Sequence, residues 1–207
     1  MAARCSLDHE VSLRAAGFSN IAGVDEAGRG PLAGPLVVAA VILPDGFSHP
    51  RLNDSKKLSS KVREQIFQEI SEDPTILWAV AELGAEEVDG LNVLRATHEG
   101  MRRAVLKLPA NVGHVLIDGL PVHPFPFPQT ALVGGDGLSL SIAAASVCAK
   151  VLRDRIMMKI DAEFPQYGFA KHKGYGTALH LARLREYGPT PYHRRSFAPV
   201  QQLSLGL

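Results

Sequence analysis

The chain has 207 residues, 46% apolar and 21% charged, which suits one globular core of ordinary composition. No apolar run approaches the roughly 18 residues of a membrane helix. Asp8, His9 and Glu10 stand where a secretory signal would be apolar, and the isolated Cys5 and Cys148 form neither a disulfide framework nor a zinc motif, so a cytoplasmic chain is expected.

Cys5 falls in an expected N-terminal tail, and no role can be read for residues 1–19. Residues 21–25 and 36–43 are short, β-branched-rich and bounded by Gly and Pro, which predicts two strands in a hairpin-like opening, joined by a turn over 26–35. Ser59 or Ser60 caps a predicted helix that runs to Ile70, and residues 75–83 read as a third strand. Residues 85–108 carry helical periodicity through Val88, Leu91, Leu94, Met101 and Val105, with Gly90 and Gly100 as weak points, so a broken helix is expected. Residues 114–118 form a buried fourth strand ending in Asp118-Gly119, and a Pro-rich loop leads to a fifth over 130–133. A long helix follows over 139–164 with Cys148 in its apolar pattern, then a shorter one over 180–187, halted by Gly188 and Pro189. This order argues for a mixed sheet covered by helices, a description that several folds satisfy and that is silent on chemistry.

Chemistry enters through acids at strand ends. Asp25 and Glu26 are adjacent at the end of an apolar strand, before the glycine-rich turn Gly28-Arg29-Gly30. Adjacent strand residues face opposite sides, so both acids serve one site only if the strand ends or bulges there. Asp118 ends the apolar run Val115-Leu116-Ile117, where a charge needs a turn or a cation. Asp136 sits in Gly134-Gly135-Asp136-Gly137. Each acid alone is ordinary turn chemistry. Together they could form an all-oxygen cluster suited to magnesium or manganese and unsuited to zinc, with two ions about 4 Å apart polarising a phosphodiester.

Two nucleotide motifs are excluded. Residues 23–30 have the glycine spacing of a P-loop, but Arg29-Gly30 stands where Lys and Ser or Thr should be. The same turn lacks the dinucleotide-binding spacing, and Asp25-Glu26 would repel a pyrophosphate. His172 and His180 have the wrong separation for a helical zinc pair.

The formal net charge of +1 hides a local asymmetry. Between 171 and 195, Lys171, Lys173, Arg183, Arg185, Arg194 and Arg195 face one acid, Glu186, with Tyr175, Tyr187 and Tyr192 interleaved. Such a face could hold phosphates or be a solvated helix surface with a basic tail. Lys56, in Asn53-Asp54-Ser55-Lys56-Lys57, is a phosphate contact or an exposed lysine beside a capped helix; Lys150 and Arg153, at the far end of a small-residue helix, could reach a phosphate.

Taken together, GVDEAGRGPLAGP, DSKKLS, EEVDGLNVLRAT, VLIDG, GDGLSLSIAAASVCAKVLRDR, HKGYGT and HRRSFAPV resemble the signature segments of the type 2 ribonucleases H, the ribonuclease HII family, in the family's order from 21 to 200. The resemblance implies a ribonuclease H-like α/β fold: a mixed five-stranded sheet flanked by helices, with a small C-terminal helical part. It divides the chain into an N-terminal extension (1–20), a catalytic core (21–165) and a C-terminal substrate-binding segment of the same domain (166–207). It implies an endonuclease that hydrolyses the RNA strand of RNA–DNA hybrids and nicks 5′ to ribonucleotides embedded in duplex DNA, leaving 3′-hydroxyl and 5′-phosphate ends.

Carried over by position, Asp25, Glu26, Asp118 and Asp136 resemble the family's catalytic metal-binding carboxylates, for two magnesium or manganese ions. Gly28, Arg29 and Gly30 resemble its ribose-sensing turn, and Tyr175 the tyrosine that contacts the 2′-hydroxyl and stacks below the next nucleotide. Lys56, Lys150 and Arg29 would anchor phosphates. The related type 3 enzymes carry an additional N-terminal domain, so the short stretch before Ile21 favours type 2. A monomer is expected, and Gln201-Gln202-Leu203-Ser204-Leu205 faintly resembles the C-terminal sliding-clamp peptide of some members. Two other readings remain, a catalytically silent hybrid-binding module and a DNA nuclease on the same fold.

Overall fold

The computed structural model describes residues 5–204. In chain order the elements are α1 (Asp8–Ala15), β1 (Ile21–Ala27), β2 (Leu36–Ile42), α2 (Ser60–Glu72), β3 (Leu77–Leu83), α3 (Ala85–Leu91), α4 (Val93–Leu106), β4 (His114–Asp118), β5 (Gln129–Leu132), α5 (Leu140–Glu163), α6 (Phe169–His172), α7 (Ala178–Tyr187) and α8 (Ala198–Ser204). The five strands lie in the order β3-β2-β1-β4-β5. β1, β2 and β3 pair antiparallel as a meander, whereas β4 and β5 join parallel to β1.

Alternation along β2 builds two cores. Val37, Ala39 and Val41 face α2 and α5, whereas Leu36, Val38, Ala40 and Ile42 face α4. The long α5 is buried from Leu140 to Ala149 because small residues let it lie against the sheet. Contact is closest at Gly23, where a Cβ would stand 2.2 Å from the Ser141 carbonyl carbon. Backbone-to-backbone contact at that point brings the start of α5 to the end of β1, where the acids are.

The helical stretch from 85 breaks at Asn92, neither at Gly90 nor at Gly100. Asn92 takes φ 64° and ψ 160°, a positive-φ backbone that the helix cannot run through, and its side chain accepts from the Leu94 and Arg95 amides to cap α4. Gly100 stays helical because α4 crosses Val38 closely: a Cβ there would lie 2.6 Å from Val38 Cγ2.

The segment before β1 is folded. Cys5, expected in a tail, is buried, and Glu10 lies 1% exposed on α1. Glu10 Oε1 accepts from the Ser139 and Ser141 hydroxyls, each at 2.6 Å, and from the Ser141 amide at 3.1 Å. One carboxylate thus meets the unpaired donors at the α5 N-terminus. Ser6 adds backbone bonds to Leu138 and Leu140, so this segment braces the loop bearing Asp136.

Among the described residues no helix is long and apolar enough to cross a membrane.

Candidate active site

Pairing of β1 with β4 ends at Val24↔Ile117, while pairing with β2 continues through Ala27↔Val37. Asp25 and Asp118 therefore stand at the next step of two adjacent parallel strands. β1 neither ends nor bulges at Glu26, contrary to the condition drawn from strand alternation: its register with β2 stays regular through Asp25↔Ala39 and Glu26↔Val38. Glu26 shares the site because no β4 residue closes that edge beyond Asp118.

The result is a cleft of about 190 Å³ lined by Asp25, Glu26, Asp118, Gly28, Arg29 and Gly30, with Lys56, Lys150 and Tyr175 completing its walls. Asp136 stands beside it: its Oδ2 is 3.7 Å from Lys56 Nζ, and the neighbouring Gly135 amide donates to Asp118 Oδ1 at 2.7 Å. A larger groove of about 570 Å³, lined by Val105, Leu106, Leu108, Pro109, Ala110, Asn111, Val112 and Phe127, holds no titratable side chain and offers no comparable chemistry.

The acids sit in a poor environment for their own charge. Burial, then Glu26 and Asp118, hold the Asp25 carboxyl well above its ordinary range. Burial raises Glu26 against the Arg29 guanidinium, with Asp118 adding to the rise. Burial raises Asp136, with Asp118 and Asp54 contributing. Lys56 is the nearby cation: burial works against its ammonium, but Asp136, Asp25, Asp54 and Asp118 outweigh that and raise it. Asp136 Oδ2 is buried without a hydrogen-bond partner. An orphaned oxygen among acids that repel one another is what an oxygen-seeking divalent cation would relieve, so the donor set fits such an ion. Among the described residues no three His, Cys, Asp or Glu side chains are yet drawn together to hold a metal. Asp25 and Glu26 have local partners instead, the Glu26 amide at 2.7 Å and the Arg29 guanidinium at 3.4 Å respectively.

Several sequence readings change. Arg153 and Arg194 cannot hold phosphates, since they are 1% and 0% exposed and donate to backbone carbonyls. Their cationic neighbours in the sequence gave no sign of this. The basic C-terminal face is further dispersed by pairing of Arg183 with Glu186. Lys150 faces the cleft but is engaged with Asp154 at 2.7 Å. Ser55 and Ser146 were missed as cleft residues: both line it, their hydroxyls are 2.9 Å apart, and the Ser146 side chain works against the rise of the Asp25 carboxyl. Ser146 lies in a run whose small residues read as packing alone.

Tyr175 is 47% exposed beside Gly30, and its main chain is tied down from within. The Thr190 amide donates to His193 Nδ1 at 2.9 Å, which leaves the proton on Nε2. His193 Nε2 then donates to His180 Nε2 at 3.0 Å, and His180 Nδ1 donates to the Tyr175 carbonyl at 2.9 Å. His172 stacks on His180 at 4.5 Å. Burial, then His180, pushes the His193 imidazole down to about 3, so both rings of this relay are neutral.

The profile of the family described as Ribonuclease HII matches residues 22–200. The chain belongs to the ribonuclease HII family. A Ribonuclease HII of Syntrophotalea carbinolica is 53% identical over 193 residues, covering 93% of this chain and 92% of that protein. Among solved structures, the ribonuclease HII of Archaeoglobus fulgidus, determined in complex with PCNA, aligns with TM-score 0.71 and 26% identity over 86% of this chain and 95% of that one. Bst-RNase HIII in complex with Mn2+ shares the fold, with TM-score 0.70 and 20% identity over 93% of this chain and 72% of that one. Membership of the ribonuclease HII family makes this chain a metal-dependent ribonuclease that acts on RNA–DNA hybrids, on a ribonuclease H-like mixed sheet.

Proposed function

We propose that this cleft cuts the RNA strand with Asp25, Glu26, Asp118 and Asp136 holding two divalent ions, magnesium or manganese, while the turn at 28–30 and Tyr175 read the sugar. The observation that carries the reading is one cleft shared by three strand-end acids, a glycine turn and an exposed tyrosine. When bound, the ions would polarise the scissile phosphate and lower the pKa of water. Asp25 and Asp118 would hold them from the rigid sheet, and Asp136 from the loop braced by Glu10. The glycine turn lets main-chain amides come close to a 2′-hydroxyl, the group that separates RNA from DNA, and Tyr175 offers a hydroxyl and a face for the adjoining nucleotide. Lys56, Lys150 and Arg29 would contact phosphates, which orient the duplex without reading its sequence. Cleavage then falls 5′ to the recognised ribonucleotide, with 3′-hydroxyl and 5′-phosphate products, including at a single ribonucleotide within DNA.

A clamp contact through residues 201–205 is supported by the Archaeoglobus relative solved with PCNA; Gln201 and Gln202 are exposed on α8, and Leu205 lies outside the described residues. The two buried free thiols suit a reducing compartment, in keeping with the cytoplasm.

The deciding assay compares an all-DNA duplex with one carrying a single ribonucleotide, in magnesium and in manganese. A nick only in the second, 5′ to the ribonucleotide, is expected. Cleavage of both duplexes alike would refute the sugar-reading assignment.

A further inference from the structure

Behind the glycine turn lie two arginines with no carboxylate within ion-pair distance among the described residues. Arg153, from α5, donates to the carbonyls of Ala33 at 3.1 Å, Pro35 at 2.9 Å and Lys173 at 3.0 Å. Arg194, from the C-terminal segment, donates to Gly28 at 2.6 Å, Arg29 at 2.9 Å and Gly34 at 2.9 Å. A buried guanidinium is costly, and removing it would leave these carbonyls unsatisfied, so each arginine and its carbonyls exist only as a set.

The pattern is directional. The carbonyls of Gly28, Arg29 and Gly34 turn inward onto Arg194, and among the described residues no acceptor is found for the Arg29 and Gly30 amides. Gly28 has φ +101°, and a Cβ there would stand 2.2 Å from Arg153 Nε, so the turn rests directly on that side chain. The Lys173 carbonyl joins the tyrosine loop to the same guanidinium, and the Gly174 carbonyl takes the Leu32 amide at 2.8 Å.

We infer that Arg153 and Arg194 are positioning residues for sugar discrimination: they gather the carbonyls of the turn and of the Tyr175 loop on the buried side, fixing free amides and tyrosine as one rigid reader. Lysine keeps the charge at either position but lacks the planar fork that spans several carbonyls. The inference rests on the sugar-reading role proposed above, and its test separates the two.

In a cleavage-silent Asp118→Asn parent with magnesium, affinity is measured for a single-ribonucleotide duplex and for the all-DNA duplex of the same sequence. Arg194→Lys and Arg153→Lys are added singly, with thermal unfolding of each. The expected result is a folded variant whose ribonucleotide preference falls by about tenfold while all-DNA affinity is unchanged, the loss of one or two oriented hydrogen bonds. Arg194→Ala should recover preference when guanidinium is supplied below denaturing concentrations. A parent without preference would overturn the sugar-reading assignment itself. A parent with preference that both folded variants retain would overturn the positioning role alone. Unfolding of both lysine variants, with no guanidinium rescue of Arg194→Ala, would reduce the arginines to scaffold and end the inference.

Discussion

The two walls of the cleft solve opposite electrostatic problems. On the sheet side, Asp25, Glu26 and Asp118 are gathered at strand ends with mutual repulsion and little cationic relief. On the turn side, Arg153 and Arg194 are buried with carbonyl partners in place of acids, and two histidines are held neutral. One wall is incomplete without an external cation; in the other the buried charges are satisfied from within. Chemistry that needs an exchangeable ion and recognition that needs a fixed shape are thereby separated across a few ångströms.

Asp118→Asn breaks that contrast most sharply. It keeps shape and removes one ligand charge, so kcat should fall by about a thousandfold or more, the loss expected when metal-dependent transition-state stabilisation is withdrawn. The metal-free variant should be at least as stable as the parent, because a like charge near Asp25 is gone. Its thermal midpoint should also rise less on adding manganese, and unchanged cleavage at saturating magnesium would remove Asp118 from the site.

Gly23→Ala tests how the acidic wall is mounted. Its new methyl group would meet the Ser141 and Ile142 backbone, which cannot swing aside as a side chain can. A destabilisation of about 3 kcal/mol is expected from overpacking. Chemical denaturation measures it, and a loss near zero would mean that α5 can retreat from β1 without consequence.

How much of this was readable in the chain differs between the walls. β4 ends at Asp118 as its apolar run and following glycine predicted, and β1, β2 and α5 fall within a few residues of their expected spans. Strand patterns are local, so the acids at their ends were legible, although it took family resemblance to gather them. The opposing wall depends on contacts remote in sequence. Arg153 meets carbonyls 118 and 120 positions away. Arg194 reaches back 166 positions to Gly28. A cation in a basic run has no local mark distinguishing a solvent-facing phosphate contact from a buried strut. The same holds for Glu10, whose partners lie 129 and 131 residues on, and so the segment around it read as a tail. At Asn92 the signal was local but different in kind: a capping side chain on a positive-φ backbone outweighed the two glycines on which propensity placed the break.

Tyr175→Ala sharpens the recognition side of the contrast. The ring is 47% exposed, so its removal should cost little stability. The preference for a single-ribonucleotide duplex over all-DNA should fall by about tenfold, comparable with loss of one stacked base contact and one hydrogen bond. A variant equal to the parent on both duplexes would exclude Tyr175 from sugar reading.

The smallest effect separates the walls by pH. His193 is held neutral down to about 3 against an ordinary value of 6.5, by burial and then by His180, so the unfolded chain takes up a proton first on acidification. Stability from this group is whole above 6.5 and is lost as pH falls through the window from 6.5 toward 3, and the lowered His180 acts in the same direction. The raised carboxyls of Asp25, Glu26 and Asp136 have the opposite sign: the folded state holds their protons longer, so acidification stabilises it. A divalent ion should suppress the carboxyl contribution and leave the histidine one. His193→Gln should therefore be less stable than the parent at pH 8 yet lose about 1 kcal/mol less between pH 7 and pH 5.5. Denaturation in saturating magnesium measures the difference, and parallel pH profiles for the two proteins would mean that His193 is not the group taking up the proton.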